Sequence, residues 1–307
     1  MSTDSILRSK IIDGKKRSLT IREWIKSEIL KLKESYNFIP GLAVIIVGDD
    51  PASHIYVKNK EKQSIESGMN SWKYILPSDV SEKEIIEQIN KLNEDSMVDG
   101  ILVQLPLPKT SSVSERNVIN AISPEKDVDG LTIINSGKLA CGEDGLFPAT
   151  PSGCIILIKE LSLNLAGKKA LVIGRSNLVG KPIASMLLKE NCTVTIAHSK
   201  TKNLIQECKN ADIIIAAIGI PNFVKGDWVK KDSIIIDVGI NRIDNLDNPK
   251  KRIVGDVDYE EAIKVCKAIT PVPGGVGPMT IACLLLNTLK ASCIRRNIES
   301  PIYNFTV

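Results

Sequence analysis

The sequence predicts an α/β protein with two domains: an N-terminal three-layer α/β lobe, a Rossmann-like lobe and a cleft between them. The chain has 307 residues, which is enough for two domains of about 150 residues each. Short runs of β-branched residues alternate with segments of helical periodicity in both halves. Residues 135–151 contain repeated Gly and Pro, which places the domain boundary there. We therefore predict one domain at residues 1–148 and a second at 149–278, with residues 279–307 packing back on the first.

The elements of the first half follow from apolar spacing and from residues that start or end helices. Residues 42–47 form a continuous apolar run closed by Gly48 and Pro51, as in a buried strand followed by a turn. Ser81 and Glu84 have the spacing of a capping box before an apolar-periodic segment. The predicted order is helix 12–32, strand 42–47, helix 52–67, strand 72–76, helix 81–92 and strand 100–104.

The second half repeats the alternation of strands and helices. Strands are predicted at 169–173, 193–197, 212–217 and 233–238, with helices at 180–189 and 202–209. The Pro- and Gly-rich residues 270–278 end this series, and residues 279–295 form a long final helix. Residues 135–151 are expected to be a loop, because Gly and Pro interrupt any period there.

The composition argues against several classes of protein. Apolar residues make up 43% and charged residues 25%, which is ordinary for a globular protein and argues against disorder. The net charge of +4 is spread along the chain and aromatic residues are only 4%, so nucleic acid is not an expected partner. No uninterrupted apolar run approaches the roughly 18 residues of a membrane helix, so no membrane association is expected.

The cysteines and histidines bear on compartment and chemistry. Seven scattered cysteines without a C-x-x-C spacing are predicted to be reduced packing residues. The N-terminus has no signal-peptide pattern, and we expect a cytoplasmic protein. Only His54 and His198 are present, which nearly eliminates histidine-dependent zinc sites and a Ser-His-Asp triad. No metal is predicted.

A nucleotide-binding turn is predicted between Gly174 and Gly180, where a strand gives way to a helix whose first N–H groups can meet a pyrophosphate. The alternative is an ordinary turn of a parallel sheet, since the spacing departs from G-x-G-x-x-G. The next strand ends without the Asp or Glu that NAD-binding proteins place there. Arg175, Ser199 and Lys200 could neutralise a 2′-phosphate, which favours NADP over NAD. Alternatively, these are solvated surface residues.

Tyr56 and Lys60 stand four residues apart on the predicted helix 52–67, so the hydroxyl and the ammonium share one face and are expected to hydrogen-bond. A lysine whose pKa falls on burial can act as a general base near neutral pH without histidine. The alternative is that Lys60 belongs to a solvated face together with Lys58 and Lys62, since buried lysines are rare. The spacing alone does not single out Lys60.

Polar residues also follow strands of the predicted sheet. Gln104 closes the strand that begins at residue 100, and Asp127 and Asp129 lie in the segment PEKDVDGL. Ligands of parallel sheets gather at the carboxyl ends of the strands. The alternative for the aspartates is turn chemistry, because Asp before Gly is a common turn pair.

Nine further segments occur in a fixed order: YVKNK, DGILVQLPLP, PEKDVDGL, TPSG, VIGRSNLVGKP, HSKT, DVGIN, GDVD and TPVPGGVGPMT. With these segments the chain resembles the methylenetetrahydrofolate dehydrogenase/methenyltetrahydrofolate cyclohydrolase family from about Lys10 to Leu289. It departs from the family at Ala149 in FPATPSG, where many relatives carry a cysteine, and no functional consequence is attached to this.

The resemblance implies two activities on tetrahydrofolate derivatives. One is the NADP-linked oxidation of 5,10-methylenetetrahydrofolate to the methenyl cation, and the other is the hydrolysis of that cation to 10-formyltetrahydrofolate. The resemblance further implies a role in one-carbon metabolism and purine biosynthesis, and a homodimer.

The resemblance also implies roles for individual residues. By position, Lys60 matches the catalytic lysine, Tyr56 its tyrosine partner and Gln104 the glutamine beside it. Asp129 matches the carboxylate that grips the pterin, and Tyr56 is also implied to contact the substrate. The loop lining the folate site is matched by Pro273, Gly274, Gly275 and Val276, and the cofactor contacts by Gly174, Arg175, Ser176, Ser199 and Ile240.

Two other functions compete with this interpretation. A shikimate-type NADP dehydrogenase also combines a substrate lobe with a Rossmann lobe, but the segments PVPGG and YVKNK argue against it. A nucleotide-sensing or assembly module without catalysis would leave no reason for the set Tyr56, Lys60, Gln104 and Asp129 to converge.

Overall fold

The computed structural model describes residues 3–108, 113–161, 163–243 and 252–302. Its contacts divide the chain into two compact units, which we name by their central sheets. The three-stranded unit comprises residues 19–149 and 281–306, and the five-stranded unit comprises residues 1–18 and 150–280. The first 18 residues therefore depart from the predicted division, which placed them with residues 19–148.

The N-terminal segment is in the five-stranded unit because it pairs with a strand of that unit. Ile11 forms a parallel bridge with Ile269. The Ile12 N–H donates to the Ile269 carbonyl at 2.9 Å, and the Ile269 N–H donates to the Lys10 carbonyl at 2.9 Å. This pairing joins residues far apart in sequence, so the local apolar pattern carries no sign of it.

Within the described residues, the helices and strands alternate along most of the chain. The helices are α1 (Thr3–Ser9), α2 (Gly14–Tyr36), α3 (Pro51–Glu66), α4 (Glu82–Glu94), α5 (Glu115–Asn120), α6 (Ile133–Cys141), α7 (Ala149–Lys159), α8 (Gly180–Lys189), α9 (Leu204–Asn210), α10 (Tyr259–Val265) and α11 (Val276–Ile294), with a 3₁₀ turn at Gly226–Trp228. The strands are β1 (Gly41–Val47), β2 (Asn70–Leu76), β3 (Gly100–Val103), β4 (Lys169–Ile173), β5 (Thr193–Ala197), β6 (Ile213–Ala216), β7 (Ile234–Asp237), β8 (Asn241–Ile243), β9 (Arg252–Val254) and β10 (Ala268–Ile269).

The three-stranded unit has a parallel sheet in the order β2-β1-β3 with helices on both faces. On one face, Ile45 and Ile101 share a buried cluster with Ile85 of α4. Successive residues of a strand point to opposite faces of the sheet, so Gly100 faces the side opposite to Ile101. A Cβ at Gly100 would meet Val128 at 2.6 Å and the Thr288 hydroxyl of α11 at 3.2 Å. The predicted three-layer arrangement is confirmed.

The five-stranded unit has a wholly parallel sheet in the order β10-β7-β6-β4-β5. The chain passes from β4 to β5 on one side and then crosses to β6 on the other side of β4. The strand order therefore reverses between β4 and β6. In open α/β sheets, ligands bind at the carboxyl ends of the strands where this reversal occurs. The predicted Rossmann-like fold is confirmed.

Four strands are buried on both faces, which explains their continuous apolar sequences. Every residue of β1, β3, β6 and β7 is buried. Buried parallel strands with helices on either side need no polar alternation. This is why the apolar runs located the strands to within one or two residues.

Local helix signals also located several helix ends. The predicted capping box is present: the Ser81 hydroxyl accepts from the Glu84 N–H, and the Glu84 carboxylate accepts from the Ser81 N–H. At α3, Asp50 accepts from the Ser53 N–H at 2.8 Å, and Pro51 stands in the first turn. The start of α3 is thus fixed close to the candidate site.

The predicted loop at residues 135–151 is wrong, because α6 and the start of α7 lie there. Thr132 caps α6 at its N-terminus, and Gly142 ends it with φ of 76°. Gly137 lies inside α6 with open space around it, so it does not disturb the helix. Burial of Leu139 stabilises the helix and outweighs the low helix propensity of glycine.

The final helix α11 is long and apolar enough, by length and composition, to cross a membrane. A 67% share of its apolar window is buried inside the protein, as in a core helix. Its buried polar residues Thr288 and Ser292 hydrogen-bond to backbone carbonyls of the same helix. Because polar residues interrupt it, a search for an uninterrupted apolar run passes over this segment.

Candidate active site

Helix α3 places Lys60 on its buried side. The buried residues Ser53, Val57, Lys60 and Ser64 recur at intervals of four and three, whereas Lys58 and Lys62 are exposed. The structure thus decides between the two interpretations of the lysines, since only Lys60 leaves the solvated face. The signal available in the sequence was the row of small residues, Ser53 and Ser64, in register with Lys60.

The Lys60 ammonium donates a hydrogen bond to Gln104 Oε1 at 3.0 Å. Gln104 is itself held, because its N–H donates to the Ile45 carbonyl at 2.8 Å and its Nε2 donates to the Leu105 carbonyl at 2.7 Å. With Nε2 engaged by a carbonyl, the amide oxygen faces Lys60. The end of β3 therefore presents a neutral acceptor to the buried lysine.

Burial lowers the pKa of Lys60, and the negative charge of Asp129 opposes that shift. Burial likewise raises the pKa of Asp129, with Lys60 acting in the opposite direction and Asp127 adding to the rise. The two groups therefore share one electrostatic environment, and each changes the proton affinity of the other. A lysine in this setting gains and loses a proton more readily near neutral pH than a solvated one.

The two aspartates of the segment PEKDVDGL have different roles. Asp127 is buried, and its carboxylate accepts from the Leu131 N–H at 3.1 Å, the Thr132 N–H at 2.8 Å and Asn135 Nδ2 at 2.9 Å. Turn chemistry is therefore the correct interpretation for Asp127. Asp129 is partly exposed, and its carboxylate makes none of these turn contacts. Asp129 is the more accessible of the two carboxylates, and its predicted contact with the substrate stays a prediction.

Tyr56 lies on α3 as predicted, but it does not hold Lys60. Its side chain is 41% exposed, and the described hydrogen bond of Lys60 goes to Gln104 instead. A shared helix face brings two side chains near each other without fixing their contact. The expected hydrogen bond between Tyr56 and Lys60 is thus absent from the described contacts.

Asn287 of α11 was missed by the sequence analysis and supports the Asp129 turn. Its Nδ2 donates to the Val128 carbonyl at 2.8 Å and to the Phe147 carbonyl at 2.7 Å. Gly130 follows with φ of 67°, and a Cβ there would lie 2.5 Å from the Phe147 carbonyl carbon. An asparagine within an apolar helix was the one available signal.

The turn after β4 has the close backbone approaches that a dinucleotide site needs. Gly174 has φ of 129°, and a Cβ on it would lie 2.2 Å from the Ala217 carbonyl oxygen. A Cβ on Gly180 would lie 2.3 Å from the Gly174 carbonyl oxygen. The Ser176 hydroxyl accepts from the Val179 and Gly180 N–H groups at 3.1 and 3.3 Å, which orders the start of α8. A dinucleotide pyrophosphate fits this turn, which stands at the strand reversal.

The candidate residues for the 2′-phosphate stand on neighbouring loops. Strands β4 and β5 pair along their length, with Ile173 opposite Ala197. Arg175 and Ser199 therefore follow adjacent strand ends, and both are exposed, as is Lys200. The structure thus brings these three residues to one edge of the sheet, with their side chains accessible to a ligand.

The remaining predicted residues also belong to the five-stranded unit. Ile240 is 47% exposed, just after β7. The loop containing Pro273 is anchored to the start of α2, since the Lys15 N–H donates to the Gly274 carbonyl at 2.8 Å. Gly275 closes that loop by donating to the Pro271 carbonyl at 2.8 Å, and Val276 then begins α11. The predicted folate contacts of residues 273–276 stay predictions.

Fold and site together define a class: α/β enzymes with one unit that carries a buried lysine beside a carboxylate and another that carries a nucleotide-binding turn. The catalytic domain of tetrahydrofolate dehydrogenase/cyclohydrolase matches residues 12–129, and the NAD(P)-binding domain of the same enzymes matches residues 148–296. The chain belongs to the tetrahydrofolate dehydrogenase/cyclohydrolase family.

Relatives match nearly the whole chain. The bifunctional protein FolD of Pelagibacter ubique (strain HTCC1062) is 54% identical over 287 residues, which cover 94% of this chain and 99% of that protein. The crystal structure of the bifunctional methylenetetrahydrofolate dehydrogenase/cyclohydrolase FolD of Campylobacter jejuni has a TM-score of 0.89 at 46% identity, covering 93% of this chain and 99% of that chain. The FolD structure of Trypanosoma brucei, complexed with NADP cofactor and inhibitor, has a TM-score of 0.88 at 34% identity, covering 94% and 97%.

The shikimate-type alternative has only a distant counterpart. Shikimate 5-dehydrogenase of Thermus thermophilus has a TM-score of 0.50 at 13% identity and covers 87% of this chain and 97% of that chain. That likeness concerns the fold alone.

Proposed function

We propose that the protein oxidises 5,10-methylenetetrahydrofolate with NADP and hydrolyses the product to 10-formyltetrahydrofolate. The observation that carries the proposal is the buried Lys60 ammonium held by Gln104 beside Asp129, in a chain that also has a nucleotide-binding turn. The first activity needs a hydride acceptor, and the second needs a group that moves protons near neutral pH. The chain has a place for each.

In the oxidation, bound NADP accepts the hydride that leaves the methylene carbon. The cation that remains is stabilised by its neighbouring nitrogens, so this step requires no proton acceptor from the protein. The chain's part is to bind and orient: the Gly174 turn receives the pyrophosphate, and Asp129 holds the pterin. A carboxylate suits the pterin because it accepts two parallel N–H donors.

In the hydrolysis, water attacks the methenyl carbon and loses one proton on attack and its second proton as the formyl carbonyl forms, while the ring nitrogen that leaves that carbon gains one proton. The balance of the step is one methenyl cation and one water giving 10-formyltetrahydrofolate and one proton. Neutral Lys60 accepts the proton from water, and the resulting ammonium supplies a proton to the departing nitrogen. Gln104 holds the amine in place in both states, because a carbonyl oxygen accepts a hydrogen bond from either.

NADP is the proposed cofactor rather than NAD. Arg175 and Ser199 are exposed on adjacent loops, and the described residues after β5 include no carboxylate where a ribose 2′-hydroxyl would be bound. A guanidinium pairs well with a phosphate dianion, which NAD lacks at that position. This part of the proposal rests on the pairing of β4 with β5.

The direct test mixes purified protein with 5,10-methylenetetrahydrofolate and NADP and follows NADPH and methenyltetrahydrofolate by absorbance. We expect NADPH to form and the methenyl signal to rise and then decay as it is hydrolysed. A parallel reaction with shikimate and NADP tests the alternative. NADPH formation with shikimate but not with the folate would overturn the proposal, and the absence of both reactions would favour a module without catalysis.

We also propose that the protein works in the cytoplasm as a homodimer, supplying formyl groups for purine biosynthesis. All seven cysteines are free and six are buried, which suits a reducing compartment. The exposed Ile75 on β2, an edge strand of its sheet, supports pairing of two copies. Light scattering on the purified protein should give twice the mass of the 33.5 kDa chain, and a monomer mass would contradict the dimer.

A further inference from the structure

Two buried carboxylates lie outside the lysine site, in the five-stranded unit. Asp237 ends β7 and is 3% exposed, and Asp256 follows β9 and is fully buried. Neither has a role in the reactions proposed above. Carboxylates are seldom buried without a compensating set of hydrogen bonds, and these two have such a set.

Asp256 joins two loops. Its Oδ2 accepts from the Ile218 N–H at 2.7 Å and from the Gly219 N–H at 3.0 Å, both in the loop after β6. Its Oδ1 accepts from Asn241 Nδ2 at 2.9 Å, in the segment after β7. One side chain thus ties the loop after β6 to the loop after β7.

Asp237 supports this link by holding the backbone at and around Asp256. Its Oδ1 accepts from the Gly239 N–H at 3.0 Å and from the Asp256 N–H at 2.9 Å, and its Oδ2 accepts from the Val257 N–H at 2.9 Å. The packing is tight, since a Cβ on Gly239 would lie 2.2 Å from Asp256 Oδ1. Both neighbours of Ile240 in the chain are therefore held: the Gly239 N–H donates to Asp237, and the Asn241 amide donates to Asp256.

The position of these loops relates them to the cofactor. A dinucleotide lies across the crevice where the strand order reverses, here between β4 and β6. Arg175 follows β4 and Ser199 follows β5, so the proposed 2′-phosphate and its adenosine lie over the ends of these two strands. The nicotinamide half must then extend to the other side of the reversal, over the ends of β6 and β7. The loops joined by Asp256 are the ones that follow β6 and β7.

We propose that Asp256 is a positioning residue for the nicotinamide half of NADP, acting through the loop at Ile218 and Gly219 and through Ile240. The inference rests on the proposed function, because it assumes NADP as the ligand. The hydrogen bonds of Asp256 fix the exposed Ile240 and the backbone of the loop after β6 before the cofactor arrives. Binding of the nicotinamide then requires little ordering of these loops.

The test compares Asp256→Asn with Asp212→Asn. An amide at residue 256 can serve the two backbone N–H groups with its oxygen, but its NH₂ group then faces the Asn241 NH₂ group. The link between the loops is broken unless the Asn241 amide turns its oxygen toward residue 256, and it is then a weaker, neutral hydrogen bond. Asp212 is the control: it accepts from the Lys169 N–H at 2.9 Å and from Lys230 Nζ at 2.6 Å, and it lies immediately before β6, at the opposite end of the strands from the loops that Asp256 joins. Both substitutions remove one negative charge.

Binding is measured by calorimetry with two probes, NADPH and adenosine 2′,5′-bisphosphate, which lacks the nicotinamide. We expect Asp256→Asn to weaken NADPH by about tenfold or more, which corresponds to one hydrogen bond to a charged group, and to leave the bisphosphate within about twofold of wild type. Asp212→Asn should leave both probes unchanged. Cyclohydrolase turnover without NADP, whose proposed groups Lys60, Gln104 and Asp129 lie in the three-stranded unit, should also be unchanged in Asp256→Asn.

Equal weakening of both probes would make Asp256 a structural brace of the whole unit and overturn the inference, as would unchanged NADPH binding. If Asp256→Asn does not fold, Asn241→Ala breaks the same link from its other end, and the same two outcomes apply to it. Failure of the wild-type protein to bind either probe would instead refute the proposed function.

Discussion

The Lys60 ammonium lies 3.0 Å from Gln104 Oε1, so the acceptor of the buried lysine is neutral. A carboxylate at this position would stabilise the ammonium and raise the pKa of Lys60. The amide oxygen orients the lysine without that charge. Burial therefore keeps the pKa of Lys60 below its ordinary value, with only the opposing charge of Asp129 acting against it.

Replacing Gln104 by Glu should move the pH profile of the cyclohydrolase upward. The new carboxylate raises the pKa of Lys60, so the neutral amine that accepts the proton from water appears only at higher pH. The measurement is methenyltetrahydrofolate hydrolysis against pH for wild type and Gln104→Glu. Gln88→Glu on α4 makes the same change away from Lys60 and should leave the profile where it is. An unmoved profile in Gln104→Glu would contradict the role of the amide.

Replacing Lys60 by Met should separate the two activities. Loss of the proton-transfer group should lower cyclohydrolase turnover by ~10² to 10⁴-fold, while NADPH formation persists and methenyltetrahydrofolate accumulates. Lys58→Met is the matched control, since Lys58 is exposed on the same helix. Full hydrolysis in Lys60→Met would refute the mechanism, and an equal loss of both activities would make Lys60 a substrate-binding residue.

Asp129→Ala and Asp127→Ala should have opposite consequences. Asp129→Ala should weaken folate binding by ~2 to 4 kcal/mol, because the pterin donors lose their acceptor. Both activities should fall as a result. Its unfolding free energy should not fall, since burial raises the pKa of Asp129 and the ionised form is costly there. Asp127→Ala removes the acceptor of three donors in the turn and should lower the unfolding free energy by about 3 kcal/mol. Folate KM values and urea unfolding distinguish the two, and wild-type kcat/KM in Asp129→Ala would refute its assignment.

Much of the fold was predictable because β1, β3, β6 and β7 are buried on both faces and have continuous apolar sequences, and because caps such as Ser81 are local. Other features have no local signal, because they depend on contacts between distant residues. The bridge of Ile11 to Ile269 and the two hydrogen bonds of Asn287 each join segments that no local pattern relates. In the site, strand ends pointed to Gln104 and Asp129, whereas the choice of Lys60 among three lysines required the resemblance or its observed burial.

Replacing Arg175 by Ala should change the choice of cofactor. Its guanidinium is exposed beside the loop that carries Ser199 and can pair with a 2′-phosphate that NAD lacks. KM for NADP should rise while activity with NAD stays near its wild-type value. Lys202→Ala removes an exposed cation further along the loop after β5 and serves as the charge control. Equal losses with both cofactors would assign Arg175 to the pyrophosphate or to the structure of the turn.

Asp237 should make the unfolding free energy fall as the pH rises, which is the opposite of what most buried, hydrogen-bonded carboxylates do. Burial raises its pKa to about 7, and the neighbouring Asp256 adds to the rise, while the backbone donors of Asp256, Val257 and Gly239 oppose it. Between the ordinary aspartate pKa of about 4 and 7, the folded state therefore binds more protons at residue 237 than the unfolded state does. By linkage, its contribution to the unfolding free energy falls as the pH rises through that window.

Urea unfolding of wild type and Asp237→Asn should isolate this contribution. The amide does not titrate and leaves some of the three backbone donors unpaired, so the variant should be less stable than wild type near pH 4. The expected signature is the difference: the advantage of wild type over the variant should be largest near pH 4, shrink as the pH rises toward 7 and level off above about 8. Asp232→Asn, an exposed change before β7, is the control for loss of a surface carboxylate and should not reproduce this pH-dependent difference. An advantage of wild type that grows with pH would mean that the three backbone donors outweigh burial and hold Asp237 ionised.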